Sequence, residues 1–438
     1  MCKVVKFGGS SMANAKQYEK VKNIITADPD RTVVVVSAAG KRFKEDHKIT
    51  DLLYLCYAHL QYGVECFSIF EMIESRYRGI CNELELSVDI ETELQNIRNQ
   101  LTKDVKQDWL VSRGEYLSAL LLADYLGYEM VDSADWLKFK FDGTVDQEQS
   151  YEALKNIAED KCVVIPGFYG VLPDGTVRVL TRGGSDVTGA LAAAALDAEI
   201  YENWTDVSGI LMADPRIVDN PNTISRITYS ELRELSYMGA DVLHEASIFP
   251  VREKDIPLNI RNTNEPDNPG TIIKESFPEG SGENDKLLTG ISGKRNYSIV
   301  IISKNGMSSS LSALREILEI FEKYGICVEF TPSGIDSVSM VVSTAKSAKY
   351  IYTILGEIQE VIQPDNIDLI EGISIVAAVG RNMAYQPGSS GALFAALGKN
   401  GINIRMITQG PEELNIIVGV NNNDFEKTIR VIYDSFVK

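Results

Sequence analysis

The sequence predicts an α/β chain: a three-layer α/β sandwich followed by two small ferredoxin-like units of βαββαβ order. Three observations carry this. The β-branched run Thr32–Val36 and the run Cys162–Pro166 read as strands buried on both faces by helices. The segment Asn262–Gly282 is rich in Asn, Pro and Gly and marks the end of the first region. Beyond it the pattern of Glu319–Phe330 returns in Phe394–Ile407: an apolar helix, a glycine, then an alternating strand. With Gly325 placed on Gly401, Ile326 falls on Ile402, Val328 on Ile404, and Val341-Val342 on Ile417-Val418. A repeat of two is too short for a solenoid and reads as paired domains.

In chain order, Val4–Phe7 reads as a strand ending in Gly8-Gly9, and Ala15–Ile25 as a helix with Tyr18, Val21, Ile24 and Ile25 on one face. Strand Thr32–Val36 runs into a polar loop, Ser37–Ile49, with a helix from about Thr50. The charged stretch 64–108, nearly free of Gly and Pro, reads as helices forming a lobe or lid. Ser112–Tyr125 is a further helix with Leu117, Leu120 and Leu121 on its apolar face. Pro173-Asp174-Gly175 is a hairpin turn. Thr181–Asp186 is a turn before an alanine-rich helix, Val187–Ala195, and strand Ile200–Trp204 ends in Thr205-Asp206. The domains expected are 1–285, 286–370 and 371–438.

Composition narrows the function. The net charge of −19 over 438 residues argues against nucleic acid or an anionic membrane as partner. Any site for a polyanion must therefore gather its positive groups locally. Six cysteines without C-x-x-C spacing and three histidines give no zinc pattern, and no metal ligands are expected from the chain. The thiols read as reduced, in a cytoplasmic protein. MCKVVKF runs straight into a strand without a signal-peptide core, and no apolar run reaches the roughly 18–20 residues of a membrane span.

Two glycine turns stand out. VKFGGSSMAN puts Lys6 before Gly8, Gly9 and Ser10, where bare backbone, a following helix and one ammonium suit phosphate oxygens. It is neither a Walker A loop nor G-x-G-x-x-G. The second turn, Arg182-Gly183-Gly184-Ser185-Asp186, supplies a cation, bare backbone, a hydroxyl and a carboxylate. Each has a plainer reading: a structural strand-to-helix turn for the first, an N-cap for Asp186 in the second. Together they suggest two anionic ligands brought face to face, as phosphoryl transfer requires.

VKFGGSS, SRGEYLSA, TRGGSD, NWTDVSGILMADPR and VLHEASIFPVREKDIPLNIRNTNEPDNPGT together resemble the aspartokinases of the amino-acid kinase superfamily, over essentially the whole chain. The resemblance implies an amino-acid-kinase sandwich followed by paired ACT domains. It implies ATP-dependent phosphorylation of the L-aspartate side chain to 4-phospho-L-aspartate, the first step toward lysine, threonine and methionine, with Mg2+ as cofactor. Carried over by position, Lys6 neutralises the transferring phosphoryl group and Asp186 orients it. Gly8, Gly9 and Ser10 hold phosphates. Arg182 clamps the aspartate α-carboxylate, Glu115 pairs with its ammonium, and Ser37, Thr50 and Ser185 lie near that substrate. Thr205, Asp206, Leu211 and Arg216 take the adenine and ribose side. For Glu115 the plainer reading is placement at a helix start after Gly114, and for Thr50 an N-cap. His244 reads as a hydrogen-bonded core histidine. Asp241 stands where many aspartokinases carry a phosphate-contacting lysine, with Lys41, Arg42 or Arg216 available to compensate.

The same resemblance places an amino-acid effector against Met307 and Ser310 in the first ACT turn. Glu329 or Asp336 is available for its ammonium, with Asn403 and Gln409 on the second unit. The acidic residues suit lysine; threonine and methionine remain open, as do polar loops that bind nothing. Paired ACT domains also imply a burial of Ile416–Val420, a C-terminal strand that sometimes returns to the first unit, and a homodimer built through these domains. The rival from another class is a non-catalytic amino-acid sensor on a degenerate kinase domain. It would show loss of Lys6, Arg182 or Asp186, and all three are present.

Overall fold

A computed structural model describes residues 2–181, 183–240, 247–277, 287–307, 311–410 and 414–437. Asp241 and His244 lie outside the described residues. The chain forms two compact units, one from 1–210, 223–229 and 242–277, the other from 211–222, 230–241 and 278–438.

The first unit is built on an eight-stranded sheet in the order Arg226–Thr228, Thr271–Lys274, Leu258–Asn262, Ile200–Thr205, Lys3–Phe7, Val33–Val36, Val163–Pro166, Glu129–Met130. The four central neighbours Ile200–Thr205, Lys3–Phe7, Val33–Val36 and Val163–Pro166 are parallel. The residues of Val33–Val36 and Val163–Pro166 are all buried, because helices cover both faces. On one face Val5, Phe7, Val34 and Val36 pack with Tyr18, Leu53, Tyr77, Leu117 and Leu121 from four helices. On the other lies helix Gly184–Ala195, whose alanines allow close approach to the sheet. This is the expected three-layer sandwich, and the parallel strands all end at one edge.

Three helix starts differ from expectation. Helix Gln107–Leu126 begins a turn before Ser112, so Gly114 and Glu115 lie in its interior and the helix-start reading of Glu115 does not hold. Gly114 is tolerated there because a Cβ would lie 2.7 Å from that of Ala38. Helix Gly184–Ala195 takes in Ser185 and Asp186. The helix after the polar loop is Ile49–Gln61 with Lys48 as N-cap, so Thr50 is inside it and caps nothing.

The second unit carries a six-stranded antiparallel sheet, in the order Val328–Phe330, Ser337–Ser343, Gly290–Ser303, Asn366–Val379, Asn415–Asn421, Ile404–Thr408. Two 14-residue strands, Gly290–Ser303 and Asn366–Val379, run through both ferredoxin-like halves. Tyr297–Ser303 belongs to the first half. Gly290–Lys294 pairs with Ile375–Val379 in the second, across a register shift between Lys294 and Tyr297. The C-terminal strand Asn415–Asn421 pairs with Ile373–Val379 and with Ile404–Thr408, and Ile416–Val420 is buried. The repeat is physical. Gly325 and Gly401 both adopt positive φ, 66° and 68°. The next amides, of Ile326 and Ile402, each bond back to a helical carbonyl at 3.0 Å, of Phe321 and Leu397. Pieces from the first part of the sequence belong here too: the Thr289 hydroxyl and the Arg381 guanidinium both donate to the fully buried Glu231, at 2.6 and 2.8 Å.

Candidate active site

At the carboxyl edge of the parallel sheet, Lys6 and Asn203 are opposite each other in register on adjacent strands. The Lys6 Nζ lies 2.6 Å from Asp186 Oδ1, and Asn203 Nδ2 donates to the same oxygen at 2.9 Å. Lys6 is 6 % exposed, so its charge is held in a largely dry setting beside its counter-ion. Asp186 turns towards this pair and caps nothing; the N-cap of its helix is Gly183, at φ 67°, with no side-chain hydrogen bond. The amides opening this helix are thus uncapped by a side chain, next to a lysine.

The Gly8-Gly9 turn lies beside Lys6: a Cβ on Gly8 would come 3.6 Å from its Nζ. The chain then forms a 3-10 turn, Gly9–Met12, and the α-helix begins only at Ala15, where the Asn14 side chain accepts the Gln17 amide. The helix thus starts at Ala15 as expected, but a 3-10 turn separates it from the glycines and its N-terminus is already capped. The turn is pinned by the Ser11 hydroxyl, 2.7 Å from that of Thr263. It packs against the loop after Val33–Val36: the Gly40 amide donates to the Gly9 carbonyl at 2.7 Å, and a Cβ on Gly40 would lie 2.6 Å from the Gly9 backbone.

The same loop reaches Glu115. This residue is 4 % exposed and follows Gly114, where a Cβ would lie 2.7 Å from that of Ala38. Among the described residues its Oε2 is buried without a hydrogen-bond partner. Burial pushes the carboxyl up to about 8, partly opposed by the nearby backbone and by the Arg113 guanidinium. A buried oxygen with no donor is costly unless a ligand completes it.

Other predicted residues are placed as follows. Ser185 is buried, against Gly167 at the end of Val163–Pro166. Ser10, Ser37 and Thr50 are half-buried. The Thr205 hydroxyl donates to Asp206, which is exposed. Leu211 and Arg216 fall in the other unit, where Arg216 is exposed and paired with Asp214 at 2.7 Å. Arg182 lies outside the described residues. Asn203 was missed by sequence reasoning, since only the parallel register puts it beside Lys6; the loop Ala38–Gly40 was missed because its contribution is backbone.

The chain matches the model of the amino acid kinase family over residues 1–262 and that of the ACT domain over 376–436. It is 34 % identical to aspartokinase 3 of Bacillus subtilis, over 99 % of this chain and 98 % of that one. The chain belongs to the aspartokinase family. Among solved aspartokinases, the structure is similar to the aspartate kinase of Clostridium acetobutylicum, with a TM-score of 0.90, 46 % identity and 99 % of each chain covered. It is also similar to E. coli aspartokinase III in complex with aspartate and ADP, with a TM-score of 0.73, 26 % identity and 100 % of each chain covered.

The effector positions inferred from the aspartokinase resemblance are less open than the catalytic ones. The Tyr237 hydroxyl donates to Glu329 at 2.6 Å. Asp336 accepts the Gly306 amide at 2.8 Å, closing the turn that contains Met307, itself buried. Asn403 and Gln409 are exposed, with Gln409 Oε1 3.5 Å from the Ser390 hydroxyl. Ser310 lies outside the described residues. Among the described residues no helix is long and apolar enough to cross a membrane.

Proposed function

We propose that this aspartokinase transfers the γ-phosphoryl group of ATP to the side-chain carboxylate of L-aspartate, giving 4-phospho-L-aspartate and ADP, under feedback from an amino acid bound by its C-terminal domains. The product opens the route to lysine, threonine and methionine. The observation that carries the reading is the pairing of Lys6 with Asp186 at a glycine turn whose partner loop also packs on Gly114, next to Glu115 with its orphaned carboxylate oxygen. Phosphoryl transfer is mostly positioning and charge neutralisation, and these residues supply both.

In this reading the Gly8-Gly9 turn and the uncapped amides of helix Gly184–Ala195 take phosphate oxygens, with Ser10 beside them. The aspartate ammonium fills the unpartnered side of Glu115, Arg182 takes its α-carboxylate, and Ser37, Thr50 and Ser185 border it. An oxygen of the substrate carboxylate attacks the γ-phosphorus as the bond to ADP breaks. Lys6, held by Asp186 and Asn203, balances the charge spreading over the phosphoryl oxygens. Thr205 and Asp206 serve the nucleoside. The glycine turn contributes backbone donors to the phosphates; Mg2+, which needs few protein ligands, would supply further neutralisation of their charge.

The reading extends to kinase domain 1–285, ACT domains 286–370 and 371–438, a cytoplasmic setting and a homodimer through the ACT domains. Lysine is the favoured effector; its support is that E. coli aspartokinase III, 27 % identical, was also solved with lysine and aspartate. The test is hydroxamate formation by purified protein with Mg-ATP, L-aspartate and hydroxylamine, with lysine, threonine and methionine added singly and in pairs. Product requiring both substrates is expected. No product from folded protein that binds ATP overturns the reading in favour of the sensor.

A further inference from the structure

We infer that Arg76 and Tyr77, neighbours on helix Phe67–Glu83 in the helical lobe, are positioning residues that hold the backbone of Ala38–Gly40 against both ends of the site. The inference deepens the aspartate-kinase reading and rests on it. The loop lies between two sets of contacts. On its inner side the Gly40 amide donates to the Gly9 carbonyl at 2.7 Å, and Ala38 packs on Gly114, the neighbour of Glu115, where a Cβ would lie 2.7 Å from its own. On its outer side the Arg76 Nη1 donates to the Gly40 carbonyl at 2.8 Å. The amide and the carbonyl of Gly40 are thus held from opposite directions.

Arg76 is buried, and its second nitrogen, Nη2, donates to Asp46 at 2.7 Å. Asp46 is also buried, and it accepts the amide and Nε of Arg42 at 2.9 and 2.8 Å. One guanidinium therefore ties both ends of the stretch Gly40–Asp46 to the lobe. Tyr77 completes the grip. Its hydroxyl donates to the Gly114 carbonyl at 2.7 Å, one residue from Glu115, and lies 3.5 Å from the Ala39 amide. The loop closes on itself through the Ile49 amide and the Ala39 carbonyl, 3.0 Å apart.

A buried arginine is a poor choice for stability alone, since its desolvation is costly and apolar residues pack as well. What it gives here is geometry: two directed bonds, both to the loop that meets the glycine turn and the carboxylate. The same geometry assigns the helical lobe a task, that of bracing the loop from behind.

The test combines amide hydrogen exchange with steady-state kinetics on the full chain. Arg76→Met keeps the apolar stem and removes both donors; Arg76→Lys restores one charged donor. The expected result for Arg76→Met is faster exchange in 37–49 by about tenfold or more, with 163–166 unchanged. The KM for aspartate rises about tenfold, more than kcat falls, and Arg76→Lys recovers part of it. Tyr77→Phe gives a smaller change of the same kind. Unchanged exchange in 37–49, or a uniform rise across the first unit, overturns the inference whatever happens to turnover. Wild type without aspartate-dependent turnover defeats the kinase reading, while the exchange result still decides the brace. If Arg76→Met does not fold, Asp46→Asn, which weakens only the Asp46 anchor, is expected to speed exchange in the same segment.

Discussion

The two sheets hold their candidate ligand groups in opposite ways. At the edge of the parallel sheet, Glu115 keeps a buried oxygen with no partner among the described residues, and the helix bearing Asp186 opens without a side-chain cap. In the antiparallel sheet, Glu329 already accepts from Tyr237 and Asp336 already closes the turn at Gly306. Parallel strands bring all their carboxyl-end turns to one edge, so distant segments crowd there and leave groups for a ligand to satisfy. Antiparallel strands send their connections to both ends, and polar side chains there complete their own turns. The lesson is that a predicted ligand residue counts for more where the fold leaves its polar atoms unsatisfied.

The sharpest break of this contrast is Lys6→Ala. Turnover should fall by about 10^3 or more with the thermal midpoint nearly unchanged, as for loss of a group that meets transition-state charge. Near-normal turnover would mean that the Lys6–Asp186 pair is only structural. Next come two glycines. Gly40→Ala forces a Cβ to within 2.6 Å of the Gly9 backbone, which cannot swing aside as a side chain does. Its turnover should drop about 100-fold. Gly325→Ala in the second unit meets open space at φ 66° and should cost only about 1 kcal/mol, read as a small drop in denaturation midpoint.

Glu115→Gln is expected to raise the KM for aspartate about tenfold. It also carries a pH signature. With its carboxyl pushed up to about 8, folded Glu115 holds a proton that the unfolded chain releases above roughly pH 4.3. Stability from this group is therefore full below that value and is lost as pH rises to about 8. Glu115→Gln should gain thermal midpoint relative to wild type between pH 5 and pH 8. Aspartate binding near pH 7 should release a proton, as the ammonium draws the carboxyl into its charged form, measurable by calorimetry in buffers of different ionisation enthalpy. No proton release would remove Glu115 from the ammonium role. The smallest effect belongs to Glu329→Gln: basal turnover within about twofold and a stability loss near 1 kcal/mol, from one weakened hydrogen bond.

Much of the molecule was legible in the sequence for local reasons. The four valines Val33–Val36 and the strand after Cys162 read as buried on both faces, and both are. Gly325 and Gly401 end helices at positive φ because the repeated pattern requires a left-handed residue there. Lys6, Gly8, Gly9 and Asp186 were legible because their chemistry is concentrated in two short turns. Asn203 was not, since nothing in Ile200–Thr205 announces that its register falls beside Lys6. Nor was the unpartnered oxygen of Glu115, which depends on a loop far away in sequence.

By itself the sequence determined the order of strands and helices, the repeat in the last third of the chain and the residue types at the two glycine turns. These follow from side-chain periodicity and backbone permissiveness, which act over a few residues. Only the tertiary structure decided which turns share an edge, that Glu115 sits inside a helix with an orphaned oxygen, that Glu329 and Asp336 are taken, and that Arg76 holds Gly40. Each of these depends on strand register or on burial, and both are set by contacts between segments that the chain does not place side by side.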